Sequence, residues 1–141
     1  MLAEPTYKTI VRTSAIYDLI VTAPLMTPWS LEITLDILRQ LHVAFGLPGT
    51  IPDFEPSHLL FAGLVGSVVV VWSIARLRLN LAILGRYDAL ARMFFALWQI
   101  YAVANGASTL ILVFAAFEIA FGIAQALPHS GDSRALVART I

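Results

Sequence analysis

Asp18, Gln99 and Glu118 each fall near the middle of a long apolar stretch of this 141-residue chain. A charge at the centre of a membrane-crossing helix costs at least about 2.5 kcal/mol on insertion scales. Such a group is therefore expected to face other helices and to have a partner or be protonated. Glu118, Gly122 and Gln125 are spaced i, i+4 and i+7, which puts them on one helical face, and Ala115 continues that face. Tyr17, Asp18 and Thr22 give an earlier stretch a polar patch of its own. The set predicts one buried polar cluster between helices. Two kinds of chemistry are open to it. Glu118 is a candidate acid/base, either in a proton relay or acting on a lipid-like substrate. Alternatively, Asp18, Gln99, Glu118 and Gln125 form the polar end of a pocket for a lipophilic molecule. The competing reading is structural, with buried polar groups tying helices together and Glu118 protonated by desolvation.

Other groups point less sharply. His42, Asp53, Glu55 and His58 share one region, but their spacing matches no metal motif, and no metal is expected there. His58 is read instead as marking the start of a helix. Arg86, Asp88 and Arg92 read as a solvated helical turn with Asp88 and Arg92 paired at i, i+4, or alternatively as a site for an anionic lipid headgroup. The chain contains no nucleophile elbow, phosphate loop or zinc-binding helix motif. The absence of cysteine excludes disulfides and thiol chemistry. A formal net charge of zero gives no reason to expect a nucleic-acid partner, and no residue pattern names a cofactor.

The elements that must position these groups follow from composition. The chain is 59% hydrophobic and 13% charged, with a mean hydropathy of +0.82. Soluble domains run nearer about 45–50% apolar and about 25% charged, and a chain of this size cannot hide the excess in a water-facing globule. Four spans are predicted, at about 13–29, 58–75, 88–108 and 109–127. Before the first, Met1 to Arg12 reads as a short polar lead. Pro24 is expected to kink the first span. Between the first two spans, Leu31, Leu35, Leu38, Leu41 and Phe45 recur at helical spacing, with Glu32, Asp36, Arg39 and Gln40 opposite. This predicts an amphipathic helix at about 31–45, capped by Ser30, stopped by Gly46 and lying on the outer surface. Pro48, Pro52 and Pro56 exclude a regular helix in the segment that follows. Leu77 to Gly85 reads as a cytoplasmic extension, Gly106 to Ser108 as a tight outer turn, and the tail from His129 as polar, with a frayed end from Ala135.

Of nine Lys and Arg residues, this arrangement leaves only Arg39 outside. Lys8, Arg12, Arg76, Arg78, Arg86, Arg92, Arg134 and Arg139 fall on the common inner side, as the positive-inside rule expects. Both termini are then cytoplasmic, and the short loops favour a bacterial inner membrane. Gly63 and Ser67, with Gly66 nearby, form a small-residue stripe suited to close helix approach, either within the chain or between copies. Trp29, Trp72, Tyr87 and Tyr101 read as interface anchors.

The order of parts resembles the DoxX-like group of small four-span bacterial membrane proteins. The resemblance runs through an outer segment with Gly46-Leu47-Pro48 and further prolines, a Gly/Val-rich span, Ala75-Arg76-Leu77-Arg78, and two closely linked spans. It implies a four-helix bundle, in that group sometimes linked to membrane oxidoreductase complexes, and it carries over no catalytic residue. The expected fold is thus an all-α, single-domain, four-helix transmembrane bundle with an extra amphipathic helix. The expected function is a non-catalytic subunit or binding module for a hydrophobic, lipid- or quinone-like molecule. A small membrane enzyme or proton-coupled carrier using Glu118, and a structural oligomeric scaffold, are the alternatives. Expected partners are membrane lipids, a hydrophobic ligand, and further copies or other membrane subunits.

Overall fold

The computed structural model describes residues 1–130. The inner-side placement expected for Arg134 and Arg139, and the frayed end from Ala135, lie outside the described residues. The described part is all-α, with five α-helices and no strand. These are α1 (Glu4–Thr22), α2 (Pro28–Ala44), α3 (Pro56–Leu79), α4 (Ala82–Ala104) and α5 (Ile111–Ala126), with a 3-10 turn at Ala23–Leu25 between α1 and α2.

The boundaries correct several expectations. Residues read as a polar lead belong to α1, which starts at Glu4 with Pro5 in its first turn, so Lys8 and Arg12 are helical. Pro24 does more than kink the helix. A ring without an N–H cannot continue the ladder, and the chain switches there to the 3-10 turn. The N-cap of α2 is Thr27, not Ser30; its side chain accepts from the Ser30 amide at 3.3 Å, and Pro28 opens the helix. Gly46 follows the end of α2 with φ +56°, as a helix stop requires. At the start of α3, Glu55 and His58 exchange side-chain and backbone hydrogen bonds in a reciprocal cap. The predicted cytoplasmic extension is instead the last turn of α3 and the first turn of α4, separated by Asn80 and Leu81. Asn80 adopts the left-handed conformation there, φ 48°. Consequently α4 begins six residues before the predicted third span and ends at Ala104.

Long-range contacts fix the directions of the helices. Thr22 and Leu25 lie against Gly66, and Ser14 against Arg76, so α1 and α3 are antiparallel. Tyr7 Oη donates to the Gln125 carbonyl at 2.7 Å, and Tyr17 stacks on Phe117, which makes α1 and α5 antiparallel as well. Arg92 meets Glu118, and Arg86 reaches the Gln125 carbonyl, so α4 and α5 are also antiparallel. One end of the molecule therefore gathers Lys8, Arg12, Arg78 and Arg86. The other carries α2 and the loops, with Glu32, Asp36, Asp53, Glu55 and Arg39. At that second end the Thr50 amide donates to the Gly106 carbonyl at 3.0 Å and the Ser108 amide to the Thr50 carbonyl at 2.9 Å. Gly49, φ +87°, sits so tightly that a Cβ would lie 2.3 Å from the Ala107 carbonyl oxygen. Gly66 of α3 serves internal packing, since a Cβ there would lie 2.7 Å from Leu25 Cβ.

The distribution of polarity is inverted relative to a water-soluble core. Among the described residues the buried polar or charged set includes Ser14, Ser73, Arg76, Asp88, Arg92 and Gln125, and it outnumbers the buried apolar set of Tyr7, Val11, Ala15, Leu31, Leu35, Val70, Ala96 and Ala115. Large apolar side chains such as Phe61, Val68, Val71, Phe94, Leu97, Val113 and Ile123 point outward. Among the described residues one helix, α3, is long and apolar enough to cross a membrane. Its 24 residues extend about 36 Å at about 1.5 Å per residue, against about 30 Å of hydrocarbon. On α2, Leu31 and Leu35 face the protein and Glu32, Asp36 and Arg39 form a charged face. Ile33, Ile37 and Leu41 form a third, exposed and apolar stripe.

Candidate functional site: a buried charge network

Four helices each place charged or polar groups on an inward face. On α1 the buried positions Tyr7, Val11, Ser14, Ala15 and Asp18 follow helical spacing. On α4 the same is true of Gly85, Asp88, Arg92 and Ala96. On α3 the face runs Gly66, Val70, Ser73, Arg76, and on α5 it runs Ala115, Glu118, Gln125. Glycines and alanines bring the backbones close enough for the long guanidinium arms to reach across. At Gly85 a Cβ would lie 2.6 Å from Tyr7 Oη and from Val11.

Arg92 is the hub. Its Nη2 donates to Asp18 Oδ2 at 2.7 Å, its Nη1 to Glu118 Oε2 at 2.7 Å, and its Nε to Asp88 Oδ2 at 3.0 Å. Arg76, fully buried, is the second cation. It donates to Asp18 Oδ2 and Asp88 Oδ2, and also to Ser14 Oγ at 3.2 Å and Ser73 Oγ at 3.0 Å. Trp72 Nε1 donates to Asp88 Oδ1 at 2.9 Å. Gln125 Nε2 donates to Ser14 Oγ at 2.7 Å and joins the network through that hydroxyl. Bonds to ionised partners are the strong class of hydrogen bond, and inside a protein an unpaired charge is expensive. Each guanidinium here touches at least two carboxylates, which meets that requirement for the cations.

The carboxylates are less evenly served. Asp18 and Asp88 accept from both arginines, whereas among the described residues Glu118 accepts from Arg92 alone. Glu118 Oε1 and Asp18 Oδ1 accept no hydrogen bond from a described residue. By formal count three carboxyl groups, on Asp18, Asp88 and Glu118, stand against two guanidinium groups, on Arg76 and Arg92.

Two grooves lead to this floor from the sides of α4. The larger, about 500 Å³, lies between α4 and α5; Met93, Ala96, Leu97, Ile119, Gly122 and Ile123 wall it, and Arg92 and Glu118 lie at its base. The smaller, about 250 Å³, lies between α3 and α4, where Val68, Trp72, Tyr87 and Phe95 surround Asp18, Asp88, Arg92 and Glu118.

Of the sequence-predicted residues, the structure brings together Asp18, Glu118 and, through Ser14, Gln125. Gln99 is not among them: it lies two helical turns beyond Arg92 on α4, and its Oε1 is buried without a partner. Thr22 turns its hydroxyl to the Asp18 backbone carbonyl at 2.7 Å rather than to the cluster. Three readings are overturned. Asp88 and Arg92 do pair at i, i+4, but in the interior and not in a solvated turn, which also removes them as a headgroup site. Arg76 and Arg92 are not inner-side loop charges. Trp72 is a hydrogen-bonding member of the network and not an interface anchor. His42, Asp53, Glu55 and His58 stay apart: His42 Nδ1 bonds Ser108 Oγ at 2.7 Å, Asp53 pairs with Arg39 at 3.2 Å, and Glu55 caps α3 with His58.

No protein-family model, curated protein or solved structure matches this chain. The resemblance to DoxX-like proteins therefore rests on the order of parts alone.

Proposed function

We propose that this chain is an integral membrane protein that binds a hydrophobic, lipid- or quinone-like molecule as a non-catalytic module or subunit of a membrane assembly. In this reading α1, α3, α4 and α5 form a four-helix bundle crossing the membrane. Lys8, Arg12, Arg78 and Arg86 lie on the cytoplasmic side with both termini, in a bacterial inner membrane, and α2 lies along the outer surface. Support comes from the inverted polarity, from the sorting of charge between the two ends, and from the exposed stripe Ile33, Ile37 and Leu41, which suits a helix lying in the interface. The observation that carries the binding function is the apolar α4–α5 groove ending on the Arg92–Glu118 pair. Ligand sites combine an apolar wall with a few converging polar groups in this way.

The test is native mass spectrometry of the protein released from its membrane. A lipid or quinone-like adduct retained by the wild type and lost in Gly122→Leu, which fills the groove, supports the reading. Adduct-free protein, or adducts indifferent to that substitution, would reject it. A second reading, in which Glu118 is the acid/base of an enzyme or proton-coupled carrier, is favoured by its unengaged Oε1 at the groove floor.

A further inference from the structure

We propose that the smaller groove, between α3 and α4, is a distinct site for a hydrophobic organic cation such as an alkyl- or arylalkyl-ammonium. The proposal rests on the membrane reading above but not on the α4–α5 groove. Although α3 and α4 are consecutive and joined by only Asn80 and Leu81, they do not pack closely along their lengths. The gap between them is bridged by long side chains, Trp72 and Arg76 reaching to Asp88. Aromatic faces of Trp72, Tyr87 and Phe95, with Val68 and Val69, form its walls.

Charge decides which occupant fits. Asp18, Asp88 and Glu118 all line the gap, and Arg92 is the one cation that does. Adding Arg76 behind it still leaves three acids against two bases by formal count. Asp18 and Glu118 are both more than nine-tenths buried, at 7% and 8% exposure. Each has one carboxylate oxygen that accepts nothing from a described residue, while its other oxygen holds a guanidinium. Neither oxygen is among the fully buried unpartnered atoms, so each stays open to a donor entering the groove. An ammonium group between these oxygens and the aromatic faces would complete the charge and gain cation–π attraction from Trp72. A neutral amphiphile would leave the charge unmet, and an anion would add to it. Volume limits the guest: about 250 Å³ admits a small ammonium head and part of its chain.

The experiment uses the full-length protein in nanodiscs with Trp29→Phe and Trp98→Phe, so that Trp72 is the sole indole reporter. The probe is 3-phenylpropyl-trimethylammonium, titrated beside its uncharged carbon isostere. The expected result is a saturable change in Trp72 emission, with the cation binding at least tenfold more tightly than the isostere. Glu118→Gln should abolish that preference. Val68→Phe narrows the groove from its apolar wall without touching a charge or adding an indole, and should weaken the cation at least tenfold while the network stays intact. Equal binding of cation and isostere, or a preference that survives both substitutions, overturns the proposal. Binding of the isostere alone, lost in Gly122→Leu and not in Val68→Phe, would overturn the cation site and leave the proposed function standing.

Discussion

Replacing Arg92 by methionine should be far more damaging than neutralising the carboxylate it holds. Methionine keeps the approximate length of the side chain and removes the hub. Asp18 and Asp88 each keep Arg76, but Glu118 loses its only charged partner among the described residues. Breaking a buried ion pair by removing one member costs about 3–5 kcal/mol, because the other charge is left uncompensated. That is two orders of magnitude or more in the unfolding constant. Glu118→Gln is different. A bond to a charged group contributes about 1.5–3 kcal/mol and a neutral one about 0.5–1.5, so the exchange itself costs about 1 kcal/mol. Removing the surplus negative charge opposes that loss, and the variant should stay within about 1 kcal/mol of the wild type. In the double variant the stranded carboxylate is gone, so at least about 1.5 kcal/mol of the Arg92→Met loss should return, a coupling in the range measured for contacting residues. Reversible unfolding in mixed micelles, followed by circular dichroism, reads all four proteins. An Arg92→Met loss below about 1 kcal/mol, or strict additivity in the double variant, would refute the view that Arg92 holds a buried three-carboxylate cluster.

Further predictions address single contacts. Trp72→Phe keeps the ring but removes the donor to Asp88 Oδ1, and should destabilise by about 1.5–3 kcal/mol in the same assay. Tyr7→Phe removes a neutral bond to the Gln125 carbonyl and should cost less, about 0.5–1.5 kcal/mol. Gly49→Ala places a Cβ against the Ala107 carbonyl at a φ of +87°, and should cost at least about 1–3 kcal/mol and loosen the Thr50–Ala107 pairing, visible as faster amide exchange at Ser108. Ile37→Lys on the exposed stripe of α2 should leave the unfolding free energy within about 0.5 kcal/mol but weaken protection of α2 from hydrogen exchange in nanodiscs. Unchanged protection would argue that the stripe faces water.

Some of this was legible in the sequence and some was not, for specific reasons. The spacing of Ala115, Glu118, Gly122 and Gln125 on one face is a local property of one helix, and the structure turns that face inward. The amphipathic helix was readable because Leu31 and Leu35 oppose Glu32 and Asp36; its exposed third stripe was not, because Ile33 and Ile37 look like core residues until the neighbours are known. The arginines misled. Positive charge beside a span normally means a loop, and Arg76 stands one turn from the end of α3 while its arm reaches back to Asp18 and Asp88. The signal that could have identified Asp88 and Arg92 as interior is their register with Gly85 and Ala96, which extends an inward face through the supposed extension. Gln99 is a different case. It shares the depth of the other mid-span groups, but it stands two turns beyond Arg92 and its Oε1 has no hydrogen-bond partner among the described residues.

The arrangement of the chain across the membrane is open to one direct measurement, made simple by the absence of native cysteine. Single cysteines at Asp53, fully exposed beside α3, and at Leu81, half-exposed between α3 and α4, would be labelled in intact cells with a membrane-impermeant maleimide. The account predicts that Asp53→Cys reacts at once and that Leu81→Cys reacts only after permeabilisation. Equal reactivity of both positions in sealed cells would contradict it.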